Sequence, residues 1–288
     1  MTANDAQQLI RPTFIGGDDG LLVGDYAGIE LRVSLWLIGD EVGLEKIRNG
    51  VDLYVDMAEF IYGPGVEIDS KKRFVGKQAV LGLGYGMGAP RFVDYCAGFG
   101  QELELELAEK TVHAYKDLYV KIPNAWTELN KASVAAVRNP GKVIKVLEGK
   151  VKYVMRGRFL YCVLPSGRPI TYVEPMVIKT ETPWGQMRPT LTYMSSNPYS
   201  KKWERNTTFG GRLFENICQG VASCLLRYSL QKVSEYYMIV AHVHDEILVE
   251  GHKDYLEHFV ETMEITPDWA GELPVKVDGL HTMRYLKG

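Results

Sequence analysis

Apolar and polar residues along this chain fall into blocks whose period changes several times. Leu21-Leu22-Val23 is a continuous apolar run leading into Gly24-Asp25-Tyr26, which reads as a short buried strand ending at an acidic residue. From Ile29 to Ile38 apolar residues recur at helical spacing and are closed by Gly39-Asp40. Helices are predicted over Leu53–Tyr62 and Lys71–Leu83, the second stopped by Gly84-Tyr85-Gly86. In Glu104–Tyr119 one stripe carries Leu105, Ala108, Val112, Tyr115 and Tyr119, an amphipathic helix halted before Pro123. Between Lys142 and Tyr199 prolines, glycines and β-branched residues take over, as in Leu164-Pro-Ser-Gly-Arg168, which predicts hairpins and loops. Leu213, Ile217, Val221, Cys224 and Tyr228 mark another long helix. Met238–Val243 and Ile247–Glu250 flank His244-Asp245-Glu246 and read as strand, tight turn, strand. Strands in the outer pieces and helices in the middle predict a discontinuous α+β core with an inserted helical domain.

Composition narrows this only a little. The 288 residues suit one large domain or two small ones, and 46% hydrophobic with 24% charged residues is ordinary for a soluble globular chain. Apolar runs such as Met238–Ala241 are too short to span a bilayer, and the first eight residues show neither a basic nor an apolar leader. No membrane association is expected. The four cysteines lack CxxC spacing, which fits a reduced, cytoplasmic protein without structural zinc or disulfides. A net charge of −3 does not suggest nucleic acid. Local charge does more. Residues 71–77 concentrate four cations, a second cluster runs from Lys142 through Lys145, Lys150, Lys152, Arg156 and Arg158, and a third holds Lys201, Lys202 and Arg205. The second and third read first as solvated faces. The acidic stretch Glu102–Glu109 reads as a helix start, where carboxylates suit the macrodipole.

Two acidic positions carry candidate chemistry. Asp25 closes one apolar strand and Asp245 lies in the turn between two others. A carboxylate beside a buried strand is costly unless paired, and a divalent cation is an economical partner. Two such carboxylates on adjacent strands can hold two Mg²⁺ ions about 3.5–4 Å apart, the spacing for in-line phosphoryl transfer. Either aspartate alone is as readily a turn stabiliser. Arg73, Lys77, Leu81 and Tyr85 follow one another at steps of four residues. Each step drifts ~40°, so all four share one ~120° helical face. Cations at one end and a ring at the other suit a nucleoside triphosphate lying along the helix.

These residues carry a family resemblance. Asp25-Tyr-Ala-Gly-Ile-Glu-Leu-Arg-Val33 resembles motif A of the family A DNA polymerases, the group of bacterial DNA polymerase I and many phage replicases. Arg73-x3-Lys77-x3-Leu81-Gly82-x2-Tyr85-Gly86 resembles motif B, their fingers helix, and Val243-His-Asp-Glu-Ile-Leu-Val-Glu250 resembles motif C. The three occur in the family's order, joined by weaker similarity from about Leu9 to the C-terminus. The resemblance implies a palm at 1–45 and 205–288, an antiparallel sheet with helices, interrupted by mostly helical fingers at 46–204 with a hairpin-rich segment at 142–204. It implies a DNA-directed DNA polymerase, a nucleotidyltransferase adding dNTPs to a primer 3′-OH with two Mg²⁺ ions, Mn²⁺ being an alternative. Asp25, Asp245 and the Tyr26 carbonyl would be metal ligands. Glu30, held by Tyr85, would exclude a ribose 2′-hydroxyl. Arg73 and Lys77 would grip the triphosphate, with Lys77 also the proton donor to pyrophosphate; Leu81, Tyr85 and Tyr54 would complete the dNTP site. Tyr85 and Gly86 would line the templating-base position. On the DNA side, Gln219 would reach the minor groove of the primed template and His244 the primer terminus. Glu246 would lie near the metals without necessarily binding them.

Departures from the family pattern point toward phage enzymes. Leu81 stands where many members carry Phe or Tyr, Tyr54 replaces a histidine, and Gly28 replaces a polar residue. Residues Gly211-Arg-Leu-Phe-Glu-Asn216 lack Arg and Asn at the family's offsets. Thumb and exonuclease segments do not fit ahead of Asp25, so the expectation is palm and fingers alone, working in a host cytoplasm with a second polypeptide that supplies a thumb. Two rivals stay open: a catalytically inactive DNA-binding remnant and a single-subunit RNA polymerase-like enzyme.

Overall fold

The structure is a computed structural model that describes residues 10–181, 185–197 and 200–285. The N-terminal octet read above for a leader, and Tyr199, lie outside them. The chain divides into two compact units, residues 1–32 with 222–288 and residues 33–221. No described helix is long and apolar enough to cross a membrane.

The first unit is built on a four-stranded antiparallel sheet. Its strands are β1 (Leu21–Tyr26), β8 (Ile239–Val243), β9 (Glu246–Glu250) and β10 (Val277–Thr282), in the spatial order β10-β1-β9-β8. β1 is therefore central, and both of its faces are covered. Leu21 and Val23 join Leu248 and Tyr285 on one side. On the other, a Cβ at Gly24 would lie 2.4 Å from Met263 Sδ, so helix α9 (Leu256–Glu264) packs directly on that backbone. Burial on both sides is why Leu21-Leu22-Val23 is continuous rather than alternating. The strand does not end at Asp25 as predicted but runs on through Tyr26, because Asp25 and Tyr26 still pair with Asp278 and Val277 of β10. Glu246, predicted in the turn, belongs to β9 and pairs with Asp25, which leaves a loop of only His244 and Asp245.

The second unit opens with helices α2 (Glu41–Arg48), α3 (Leu53–Tyr62), α4 (Ser70–Leu83), α5 (Ala89–Ala97), α6 (Leu105–Leu118) and α7 (Lys121–Arg138). Helix α1 (Ile29–Leu37) and helix α8 (Gly210–Val233) each contribute residues to both units. Aspartates cap α2, α3 and α4: Asp40, Asp52 and Asp69 each accept hydrogen bonds from first-turn amides. The acidic stretch starts a helix as predicted, with Glu104 at the N-cap of α6. Pro123 does not follow a stop of long extent. It sits in the first turn of α7, where its missing N–H costs nothing.

The segment predicted as hairpins and loops forms a six-stranded antiparallel meander in sequential order: β2 (Ile144–Val146), β3 (Val151–Arg156), β4 (Phe159–Val163), β5 (Pro169–Glu181), β6 (Met187–Ser196) and β7 (Trp203–Thr207). Val151, Tyr153, Leu160, Cys162, Tyr172 and Leu191 are buried on the face against which α7 packs. All four cysteines are free and buried.

Close backbone approach fixes two places near the motif B residues. A Cβ at Gly76 of α4 would lie 2.1 Å from the Tyr54 carbonyl oxygen, so α3 and α4 touch main chain to main chain. One at Gly211 of α8 would lie 2.2 Å from the Tyr85 carbonyl oxygen. Exposed helical glycine usually gains about 1 kcal/mol on change to alanine. Gly76→Ala should do the opposite and lose about 1–3 kcal/mol through overpacking, read as a lower midpoint in chemical unfolding. A raised midpoint would mean the two helices stand apart.

Candidate active site

Asp25 and Asp245 are neighbours. Register places Asp25 opposite Glu246, and the Tyr26 amide donates to the Asp245 carbonyl at 3.3 Å. Asp25 is half-buried, with its Oδ1 atom shielded from solvent, and Asp245 is half-buried in the turn. The Tyr26 side chain runs into the core, where its hydroxyl bonds to Ser229 and donates to the Met263 carbonyl at 3.1 Å. Burial pushes the Tyr26 phenol up to about 12, against the lowering influence of Ser229, so it stays a neutral anchor at any working pH. His244 is exposed and takes φ +55°, a left-handed conformation that favours glycine in two-residue hairpins.

Glu246 shares a sheet face with Asp25 and has partners of its own. Its carboxylate is buried, meets Arg11 Nη1 at 3.3 Å and accepts a hydrogen bond from the Tyr285 hydroxyl. Arg11 also stacks over the Tyr285 ring at 5.0 Å. Burial and the adjoining Glu246 carboxylate raise the Tyr285 phenol well above its ordinary range, which keeps it a donor. The two ends of the described chain thus close over Glu246: Tyr285 N bonds to Phe14 O, and Arg284 Nη1 to Pro12 O at 2.6 Å.

Among the described residues no cluster of three His, Cys, Asp or Glu side chains is close enough to hold a metal. That donor set still fits Mg²⁺, which is commonly held by one or two carboxylates and completed by water and substrate phosphate. Asp25, Asp245 and a backbone carbonyl are all hard oxygen donors.

Motif A continues into α1. Gly28 takes φ +58°, so the turn between β1 and α1 favours the residue found there over the polar one it replaces. Glu30 lies half-buried in the first turn of α1. Arg32 closes the turn, donating to Ala27 O at 2.6 Å and Pro274 O at 3.1 Å.

The motif B residues assemble in the second unit. Arg73 and Lys77 are exposed on α4 and Leu81 is half-buried on the same side, while Val75, Gln78 and Ala79 are buried behind them. Tyr85 lies two residues beyond the helix end, in the turn that follows, with its ring 6.3 Å from Phe214. Gly86 takes φ +84°, and Trp126 Nε1 donates to the Gly84 carbonyl at 3.0 Å. Tyr54 serves both cations: Arg73 lies 5.3 Å and Lys77 5.8 Å from its ring centroid. Arg73 Nε also meets Asp52 Oδ2 at 2.7 Å. Burial works against ionisation of Asp52, but Arg73 and the Val55 and Tyr54 amides outweigh it and hold the carboxyl below its usual range. Gln219 is exposed on α8. Sequence reasoning missed Asp52, although an aspartate ahead of an apolar periodic stretch is a legible cap, and missed Arg11 and Tyr285, for which no local signal exists.

Comparison with known proteins bears on both groups. The sequence profile described as "DNA polymerase family A" matches residues 2–153. This chain belongs to DNA polymerase family A. A DNA polymerase of Bacillus phage SP02 is 32% identical over 97% of this chain and 43% of its own length. The thermostable DNA polymerase I of Thermus aquaticus is 33% identical over 51% of this chain and 17% of its own. Among solved structures, the POL domain of Pol1 from M. smegmatis, in complex with DNA primer-template and dNTP, matches with a TM-score of 0.56 and 19% identity over 99% of this chain and 43% of that one. The family A chain thus spans less than half the length of these relatives, and its mixed helix and sheet fold is similar to part of that POL domain.

In this family A chain the Glu246 clamp should be measurable as coupling. Arg11→Met leaves a buried carboxylate without its cation and should cost about 2–3 kcal/mol in denaturant unfolding. Glu246→Gln in the same background should recover about half of that loss. Strictly additive losses would mean that the arginine and glutamate do not act as a unit.

Proposed function

We propose that this chain carries the catalytic palm and fingers of a DNA-directed DNA polymerase, adding dNTPs to a primer 3′-OH on a template. The observation that supports the reading is that Asp25 lies beside Asp245 at the end of a central strand with apolar packing on both faces. We assign Asp25, Asp245 and the Tyr26 carbonyl as the residues that hold two Mg²⁺ ions. The chemistry such ions supply when bound is activation of the primer hydroxyl and neutralisation of charge on the departing pyrophosphate. The hairpin at His244 presents its imidazole to the primer end. Arg73 and Lys77 bind the triphosphate, Arg73 exchanging its Asp52 carboxylate for phosphate and Lys77 delivering a proton to pyrophosphate. Tyr54 holds both side chains extended before substrate arrives, which lowers the ordering cost of binding. Leu81, Tyr85 and Gly86 receive the nucleotide and the templating base, Glu30 rejects the ribose 2′-hydroxyl, and Gln219 reads the minor groove. Primed template DNA and dNTPs are the proposed partners, named also in the description of the matched Pol1 POL domain. A second polypeptide supplying thumb contacts, and action in the cytoplasm of a phage-infected host, complete the proposal.

Primer extension with Mg²⁺ on a labelled primed template tests this directly. Asp25→Asn or Asp245→Asn should abolish incorporation while leaving DNA affinity nearly unchanged, since phosphate contacts supply most of that affinity. Near-normal extension by either variant would sink the assignment.

Lys77→Ala should lower single-turnover incorporation by about 100- to 1000-fold, the scale of losing one oriented electrostatic donor. Stability should fall by no more than about 1 kcal/mol, the scale of its exposed cation–π contact with Tyr54. A rate within a few-fold of the parent chain would make Lys77 a surface cation.

A further inference from the structure

Folding brings Lys145, Lys152 and Arg156 of the second basic cluster and Arg205 of the third onto one sheet. Successive strand residues point to opposite faces, and the inner face of the six-stranded sheet is the buried one under α7. The other face is exposed at most of its positions, with Val154, Thr190 and Thr192 buried between them. Lys145 pairs directly with Lys152, Arg156 with Phe159, Met194 with Arg205, and Ser196 with Trp203, all in register on that face. The bulge between Val173 and Met176 preserves the parity, since Val173 pairs with Met194 and Met176 with Thr192.

Three features of this face point the same way. It exposes rings: Trp203 is 61% exposed and Phe159 36%, and the Phe159 and Tyr161 rings lie 6.1 Å apart. It carries exposed cations at Lys145, Lys152, Arg156, Arg188 and Arg205, while the ladder carboxylates next to them, Glu181 and Glu204, belong to the opposite face. Glu174, in the bulge, is taken by Arg158, and its carbonyl and Thr192 Oγ1 fix the Arg205 guanidinium over the sheet. Finally, Lys145 and Lys152 stand directly opposite each other, an arrangement that destabilises a sheet unless an anion is bound there.

We propose that this open face binds single-stranded DNA. Cations that track a backbone, interleaved with exposed rings on which bases stack, are the chemistry of sequence-tolerant single-strand binding. Six strands at about 4.8 Å spacing span about 24 Å, room for several nucleotides. A duplex keeps its bases stacked internally and offers nothing to Trp203 or Phe159. Identifying the bound strand as unpaired template rests on the polymerase reading; the binding itself does not.

The test is fluorescence anisotropy of the full chain with labelled oligo-dT of about 16 nucleotides, at several salt concentrations. Phe159→Ala with Trp203→Ala should weaken binding at least about tenfold and leave the salt slope unchanged. Lys152→Ala with Arg156→Ala should flatten the slope of log K against log salt by about 1.4, two cations at about 0.7 each. Trp203→Ala alone, the most exposed ring, keeps the test valid if the double aromatic variant unfolds. Photo-crosslinks from a bromodeoxyuridine oligonucleotide should map to β4 or β7. Unchanged affinity and slope in both variants would overturn the proposal. So would equal competition by poly-glutamate, which would make the occupant an acidic protein segment. Primer extension run in parallel separates the two readings: a parent chain that binds oligo-dT through these residues but extends nothing leaves this surface standing and removes the polymerase assignment.

Discussion

Strand β1 is buried on both faces, and it carries Asp25 and Tyr26 into that interior. Ionised groups are tolerated there only when something answers their charge or hydrogen-bonding capacity. The first unit is arranged around that demand. Tyr26 spends its hydroxyl on Ser229 and Met263 and pins the strand end. Glu246, opposite Asp25 in register, is answered by Arg11 and Tyr285. Asp25 and Asp245 adjoin that clamp at the end of the β1–β9 pairing, and in the proposed reading they are the two carboxylates offered to a cation.

The second unit solves a different problem, holding flexible cations still on an exposed helix face. Arg73 and Lys77 have long side chains whose ordering costs entropy. The Tyr54 ring beneath both, and Asp52 at the cap of the same helix as Tyr54, restrict them. This arrangement depends on α3 and α4 approaching backbone to backbone at Gly76. Tyr54, which looks like a departure from the family pattern, therefore has a physical role in this chain as a platform for cations.

Membership of DNA polymerase family A rests on the profile match over residues 2–153, while the long similarity to the phage SP02 polymerase extends over nearly the whole chain. The part beyond residue 153 includes most of the six-stranded sheet, whose open face concentrates charge that the overall composition conceals. A net charge of −3 coexists with a face whose ladder positions carry cations and, among described residues, no acid.

Local chemistry was legible in the sequence because its signals are local. Helical spacing from Arg73 to Leu81, the two-strand pattern around His244-Asp245, and the apolar run before Asp25 each depend on residues within a dozen positions. Cap signals were legible too, yet Asp40 reads equally as the end of one helix and the start of the next, and α2 was missed for that reason. Strand periodicity in β2–β7 was blurred by prolines and by the bulge after Val173, so hairpins were legible there but the number and pairing of the strands were not. Only tertiary structure could bring Arg11 to Glu246, 235 residues away, or stack two separate basic clusters on one face. Spacing fixes which side of an element a residue occupies; which elements meet there is decided by burial and register between distant segments, and that information is not carried by any short stretch of chain.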